Sequence, residues 1–576
     1  MTVLAEDVRA GGDTASLNFR WARALLGGLL AGGVGHAVVS PGSRSTPLVL
    51  ACEALRGMQV HVMVDERSAA FFALGIARAS GRPAAVIATS GSAPANWYPA
   101  VIEASQDLQP MVLLSADRPA ELRGWGANQT IDQTRLFGVH VREFVGLAEP
   151  VAGARMLRYA RAAGKRAVAL ALGPRPGPVH INVPFREPLV CHGDARVVSA
   201  DRVGEPVSPR RPSPQASEIC LVARSLSDCN GVIVCGRGPH GPEFPPAIAA
   251  LAAQLRWPVL ADPLSGLRFG AHDRSQVMSC YEAFLRRRSF ADAHPPEAVL
   301  HFGAVPVSRA LQNYIDTAAD VHVLVAAHGV WPDPAHRATH VVAADSLSFC
   351  RRLMEAAPQP AEHGWVGAFR REELRARDLQ QVTRHITLEA AVLASVMELC
   401  PEDALVFAGN STVVRDIDAF VGGGDRPRFL AGNRGASGID GNVSTALGMA
   451  AASLRPVVAL LGDLALYHDM NGLIASRDLK ATLIVFNNGG GAIFEYLPQA
   501  RLERFERYWL TSTTLDLAMV AKLYGLGHAT VKRSESFPEA FRDALHSTTS
   551  TLIEVKIDRA QSVAAHRAYW NAVAAD

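Results

Sequence analysis

Short uninterrupted apolar runs alternate along the whole chain with longer stretches in which apolar residues recur every three or four positions. The runs occupy 37–40, 61–64, 84–88 and 111–115, then 232–235, 258–261, 298–302 and 321–325, then 405–408, 457–461, 483–486 and 551–555. Runs of this kind predict buried strands, and the periodic stretches between them predict amphipathic helices. Buried strands separated by helices form parallel sheets covered on both faces. Two proline-rich polar stretches, 204–217 and 356–364, predict extended, weakly packed linkers. The expected fold class is therefore α/β, with three consecutive domains of parallel sheets flanked by helices, over 1–203, 218–355 and 365–576. Ligands of such sheets bind beyond the carboxyl ends of the strands. The residues that follow the runs are thus the first candidates for chemistry.

Composition narrows the function classes. The 576 residues are 49% hydrophobic and 19% charged, as in ordinary globular proteins. A net charge of +2 without any basic run argues against a nucleic-acid partner. No apolar stretch is long and uncharged enough for a transmembrane helix, and the opening residues lack a secretory pattern. A cytoplasmic protein without membrane contact is expected. The 8 cysteines include no C-x-x-C pair, which fits reduced and mostly buried thiols.

In the last block Gly462-Asp463-Leu464 follows one run, and Asn487-Asn488-Gly489-Gly490-Gly491 follows the next. If those strands are neighbours, a carboxylate and an amide oxygen stand side by side. Magnesium takes such hard ligands together with phosphate oxygens. The glycines let the backbone come close and offer a carbonyl. Alone, the pair reads as well as a strand-end turn and a loop. It is similar to the motif with which thiamine-diphosphate enzymes hold their metal and diphosphate, at the short end of that motif's spacing. The similarity implies Asp463, Asn488 and the main-chain carbonyl of Gly490 as ligands of Mg2+ or Mn2+. In the first block Glu66 precedes an apolar helical stretch at 69–77. By itself it reads as an acid favoured in a helix's first turn. In a thiamine-diphosphate enzyme a glutamate at this place drives tautomerisation of the aminopyrimidine, and shielding from water suits a carboxyl group to that proton sharing.

Further segments are Ser-Pro-Gly-Ser-Arg-Ser-Thr-Pro-Leu at 40–48, Asp-Glu-Arg-Ser-Ala-Ala-Phe-Phe at 65–72, Thr-Ser-Gly at 89–91 with Ala95-Asn96, Asp-Arg-Pro at 117–119 and Gly-Ala-Asn-Gln at 126–129. The third block adds Gly-Asn-Ser at 409–411 with Arg415, Asn-Arg-Gly-Ala-Ser-Gly-Ile-Asp-Gly at 433–441, and Ile493-Phe494. In this order the chain resembles the 2-succinyl-5-enolpyruvyl-6-hydroxy-3-cyclohexene-1-carboxylate synthase (MenD) family across all three blocks. The resemblance implies a pyrimidine-binding domain, a central domain without cofactor and a diphosphate-binding domain. It implies a transferase of menaquinone biosynthesis. Such an enzyme decarboxylates 2-oxoglutarate and adds the succinyl carbanion equivalent in a 1,4 sense to isochorismate. It implies a homodimer or dimer of dimers, in which Glu66 of one chain meets Asp463 and Asn488 of another.

The resemblance also carries over individual roles. Glu66 is the catalytic acid. Ser411 joins Glu66, Asp463 and Asn488 at the cofactor, and Ile439 is the apolar wedge that keeps it bent, a task suited to a stiff β-branched side chain. Both substrates are dicarboxylic, and the planar arginine fork binds carboxylate bidentately. Ser43, Arg44, Asn128, Gln129, Arg309, Ser411, Arg415 and Arg434 are assigned to substrate, with Ile493, Phe494 and Leu497 as an apolar wall. Many relatives carry Lys-Arg where this chain has Ser308-Arg309, which removes one cation. Arg118 reads equally as a substrate contact or a buried structural pair, and no histidine is assigned a catalytic role. Another thiamine-diphosphate-dependent 2-oxo acid decarboxylase or carboligase would share the fold and the metal motif without needing this set of arginines. A separate run, 236–241, fits G-x-G-x-x-G, but Pro239, Pro245 and Pro246 crowd the place where a phosphate-binding helix would start. A non-catalytic scaffold would have no reason to keep Glu66, Asp463 and Asn488.

Overall fold

The structure, a computed structural model, describes residues 14–191, 205–209, 211–316, 320–384 and 387–575. Three six-stranded sheets form, each parallel throughout. The first contains β1 (His36–Val39), β2 (Gln59–Val62), β3 (Ala84–Ala88), β4 (Met111–Asp117), β5 (Glu143–Gly146) and β6 (Pro178–Pro184), in the order β2-β1-β3-β4-β6-β5. The second contains β7 (Gly231–Cys235), β8 (Val259–Ala261), β9 (Val277–Met278), β10 (Ala298–Phe302), β11 (Val321–Val325) and β12 (His340–Val342), ordered β12-β11-β10-β7-β8-β9. The third contains β13 (Leu405–Ala408), β14 (Phe429–Ala431), β15 (Val457–Gly462), β16 (Thr482–Asn487), β17 (Gly527–Val531) and β18 (Thr551–Lys556), ordered β14-β13-β15-β16-β18-β17. Inner strands such as β3 and β13 are buried along their whole length, as continuous apolar sequence requires. The strand order reverses direction between β1 and β3, and again between β13 and β15. Such switch points open a crevice at the strands' carboxyl ends. Among the described residues no helix is long and apolar enough to cross a membrane.

Two sequence expectations need correction. The run at 61–64 is not a buried strand. β2 is an edge strand, and Val62 and Val64 are 67% and 73% exposed. Apolar content alone cannot distinguish an inner strand from an apolar edge. Nor is the stretch 356–364 loose. Gln359 O accepts from Asp228 N–H, the Gln359 amide donates to Ser227 Oγ, and Ala361 N–H donates to Leu255 O. Part of the other stretch, Gly204 and Arg210, lies outside the described residues.

The chain forms two compact units. One comprises Met1–Arg210, Asn433–Leu454 and Tyr467–Lys480; the other comprises Arg211–Gly432, Arg455–Leu466 and Ala481–Asp576. Within the first, helix Glu66–Ser80 crosses helix Asn442–Ala452 at a glycine on each. A Cβ on Gly75 would lie 2.0 Å from Thr445 O, and one on Gly448 would lie 2.0 Å from Phe72 O. Backbones this close leave room for hydrogen only. Gly448→Ala is therefore expected to destabilise the protein by about 1–3 kcal/mol. Urea denaturation checks this, and an unmoved midpoint would contradict so tight a crossing.

Candidate active site

In the second unit β15 and β16 are paired, with Gly462 opposite Phe486, so the residues after them emerge side by side. Asp463 opens the helix Asp463–His468 and is 4% exposed. Its Oδ1 accepts from Leu464 N–H at 2.9 Å, whereas Oδ2 has no hydrogen-bond partner among the described residues. Burial pushes its carboxyl up to about 6, against the opposing pull of the Leu464, Gly490 and Gly489 amides. The two asparagines at the end of β16 divide their work. Asn487 donates to Glu554 at 2.7 Å and accepts from Gly489 N–H at 3.2 Å, so its amide serves the fold. The buried Oδ1 of Asn488 has no partner among the described residues. Gly490 has φ +135°, and a Cβ there would meet Leu510 O at 2.2 Å. Buried oxygens without donors are costly. Two of them at adjacent strand ends, one on a carboxyl with no cationic side chain paired to it among the described residues, fit an oxygen-seeking divalent cation. No group of three or more His, Cys, Asp or Glu that could hold a metal occurs among the described residues. The donor set here is one carboxylate, one amide oxygen and backbone.

The other expected residues of this unit follow β13, β16 and β10 in the chain. Ser411 follows β13 with φ +70°, a conformation costly for any residue but glycine and common at functional sites. It precedes helix Thr412–Phe420, and its carbonyl accepts from Arg415 Nη1 at 2.6 Å. Arg415 is exposed. Ile493 and Phe494 are half-buried in the turn Ala492–Tyr496, and the amide of Leu497, which is 41% exposed, closes on Phe494 O at 3.1 Å. Arg309 is exposed at the start of helix Arg309–Asp316, where Nη1 reaches Gln312 at 3.3 Å. Ser308 is buried. Its Oγ accepts from Leu311 N–H at 3.0 Å and donates to Glu282, so it caps that helix from inside.

In the first unit Asp65 caps helix Glu66–Ser80, accepting from Arg67 N–H at 2.9 Å and Ser68 N–H at 3.2 Å. The cap leaves Glu66 as the first helical residue, half-buried, its carboxylate without a hydrogen-bond or ion-pair partner among the described residues. Asp469, absent from the sequence expectations, pins this helix end. Fully buried, it accepts from Ser68 Oγ at 3.3 Å, Ser444 Oγ at 2.9 Å and Ser444 N–H at 2.7 Å, and burial pushes its carboxyl up to about 6. Ser43 is exposed in the turn after β1, where its carbonyl caps Thr46. Arg44 is 5% exposed and engaged, with Phe185 O at 2.9 Å and Glu187 at 2.8 Å.

Asn128 is exposed, and Gln129, at φ +55°, donates to Ser90 O at 3.1 Å. Arg118 bonds Ser90 Oγ and Gln129 O, at 3.0 Å for the latter, and so cross-links the loops after β3 and β4. Asp117 pairs instead with Arg123 at 3.2 Å and accepts from Asn182 at 2.7 Å. Sequence patterns also missed Gln133, which is buried, donates to Asn182 and accepts from Gly91 N–H at 3.0 Å. Arg434 and Ile439 are half-buried in the loop 433–441. His61 stacks on His36, and burial pushes it down to about 4, which keeps it neutral. In 236–241, Gly236 serves packing: a Cβ there would strike Ala304 O at 1.8 Å, and helix Phe244–Leu255 starts beyond the run.

Three family models match in succession. They are a thiamine pyrophosphate enzyme N-terminal TPP-binding domain at residues 19–136, a middle domain of thiamine pyrophosphate enzymes at 219–408, and a C-terminal TPP-binding domain at 418–555. Curated relatives named 2-succinyl-5-enolpyruvyl-6-hydroxy-3-cyclohexene-1-carboxylate synthase are similar over nearly the full length. The protein of Geobacillus kaustophilus is 43% identical over 566 residues, covering 96% of this chain and 97% of its own. That of Dechloromonas aromatica is 42% identical, covering 94% of this chain and 99% of its own. That of Chloroflexus aurantiacus is 42% identical, covering 96% and 95%.

Proposed function

The chain belongs to the 2-succinyl-5-enolpyruvyl-6-hydroxy-3-cyclohexene-1-carboxylate synthase family of thiamine-diphosphate enzymes, and from that premise we propose how its residues divide the work. It is a transferase of menaquinone biosynthesis that joins the decarboxylated remnant of 2-oxoglutarate to isochorismate. The observation that carries the site assignment is the pair of buried, donorless oxygens on Asp463 and Asn488 at adjacent strand ends. With the Gly490 carbonyl they would hold Mg2+ or Mn2+, which would supply positive charge for a diphosphate. When bound, thiamine diphosphate supplies a thiazolium electron sink for the pair released as carbon dioxide leaves.

Glu66 holds a proton at the pyrimidine ring nitrogen. Its unengaged carboxylate at a helix start is available for that bond. Ile439 wedges the cofactor, and Ser411 supports it. Arg415, Arg434 and Arg309, with Arg44 behind Ser43, draw in substrate carboxylates; Asn128 and Gln129 orient them through amide hydrogen bonds. Ile493, Phe494 and Leu497 form the apolar wall. The domains are 1–203 for the pyrimidine, 218–355 without cofactor and 365–576 for the diphosphate. The assembly is a homodimer or dimer of dimers, with Glu66 of one chain and Asp463 and Asn488 of another on one cofactor. The setting is cytoplasmic.

The test is consumption of isochorismate with 2-oxoglutarate as donor, with and without thiamine diphosphate and Mg2+. Cofactor-dependent loss of isochorismate is expected. Carbon dioxide release from pyruvate in preference to 2-oxoglutarate would instead favour a different decarboxylase of the same fold.

A further inference from the structure

The loop 433–441 presents Arg434 and Ile439, yet no residue in it belongs to a helix or strand. A carboxylate from elsewhere in the same unit fixes its shape. Glu103, on helix Tyr98–Gln106, is 3% exposed. Its Oε1 accepts from Gly435 N–H at 2.8 Å, and its Oε2 accepts from the N–H groups of Ala436 at 2.6 Å and Ser437 at 3.3 Å. Three successive amides turned onto one anion make a nest, in which partial positive charges converge on the carboxylate. Ser437, exposed, has φ +62°, a left-handed conformation that the nest imposes on a non-glycine residue. Gly435 lies against the same helix, since a Cβ there would come 2.5 Å from Glu103 O. The entrance to the loop is held separately. Buried Arg78 pairs with Asp107 at 2.6 Å, stands 3.9 Å from Glu103 and donates to Asn433 Oδ1 at 3.1 Å.

We propose that Glu103 is a positioning residue of the active site. Its carboxylate seats the amides of residues 435–437 and thereby sets where Arg434 meets a substrate carboxylate and where Ile439 meets the cofactor. The inference rests on the roles assigned to those two residues, so they enter the same experiment.

The holoenzyme is compared with Glu103→Gln, which keeps shape and length but turns an NH2 group towards amide donors. The expected result is a KM for isochorismate and a Kd for thiamine diphosphate raised about ten- to a hundredfold, the scale of an ångström-sized misplacement. Circular dichroism stays near wild type, and Tm falls by a few degrees because buried amide donors lose an acceptor. A role in stability alone would lower Tm and the active fraction and leave KM and Kd of the surviving enzyme unchanged, which overturns the proposal. Ser437→Val attacks the nest without touching Glu103, because a β-branched residue resists positive φ. It should raise the same constants while Ser437→Gly does not. Wild-type constants in Ser437→Val overturn the proposal even where Glu103→Gln fails to fold. Arg434→Met and Ile439→Ala separate the two levels. If they shift the constants and Glu103→Gln does not, Glu103 alone is misassigned. If neither shifts them, the reading of the loop falls as well.

Discussion

Glu66→Gln lowers cofactor-dependent turnover of isochorismate by about 10²–10⁴, the usual contribution of a positioned acid or base. The amide keeps the size of the side chain and can still form a hydrogen bond. It cannot carry a negative charge or take up a proton, so it cannot hold one in common with a weakly basic ring nitrogen. The half-buried carboxylate has no other partner among the described residues, and Asp65 rather than Glu66 caps the helix. The substitution should therefore leave Tm unchanged, and should leave intact the rise in Tm on adding thiamine diphosphate and Mg2+. Undiminished turnover by the folded variant would remove Glu66 from the mechanism.

Asp463→Asn has the opposite signature. In the metal-free protein Asp463 is a buried carboxyl whose Oδ2 nothing satisfies among the described residues. Making it neutral costs the fold itself little, because burial already disfavours the charged carboxylate there. Cofactor and metal at a hundred times their Kd stabilise a native protein by about 2.7 kcal/mol. That increment, read as a shift in Tm, is expected to vanish in Asp463→Asn, and turnover with it. A variant that still gains the full increment would exclude Asp463 as a ligand. The two variants together also test the assembly. If each cofactor is gripped by two chains, mixing and reassembling Glu66→Gln with Asp463→Asn yields hybrids with one intact site, and activity returns that neither parent has. If each chain holds its own cofactor, the mixture stays inactive.

Much of this was legible in the sequence because inner parallel strands are written as unbroken apolar runs. β3, β10 and β13 stand where the runs predict them, and the residues that follow β13, β15 and β16 include the proposed cofactor and metal ligands. What escaped notice has physical reasons. β6 is buried along its length but reads Pro-Val-His-Ile-Asn-Val-Pro. His180 is tolerated there because Ser115 bonds it at 2.7 Å, and Asn182 because Ser115, Gln133 and Asp117 do. A buried polar network makes a core strand resemble a loop. β5, β9, β12, β14 and β17 are short or half-exposed edge strands, which need little apolar sequence. The anchoring role of Glu103 is invisible to any local pattern, since its partners come more than three hundred residues later.

That long-range completion bears on how the molecule is made. The first compact unit includes Asn433–Leu454 and Tyr467–Lys480. Gly75 can therefore meet Thr445 and Gly448 only after most of the polypeptide has left the ribosome. At roughly 5–20 residues per second, that wait lasts on the order of tens of seconds. During it the side of the nascent helix Glu66–Ser80 that will meet Thr445 and Gly448 stays uncovered.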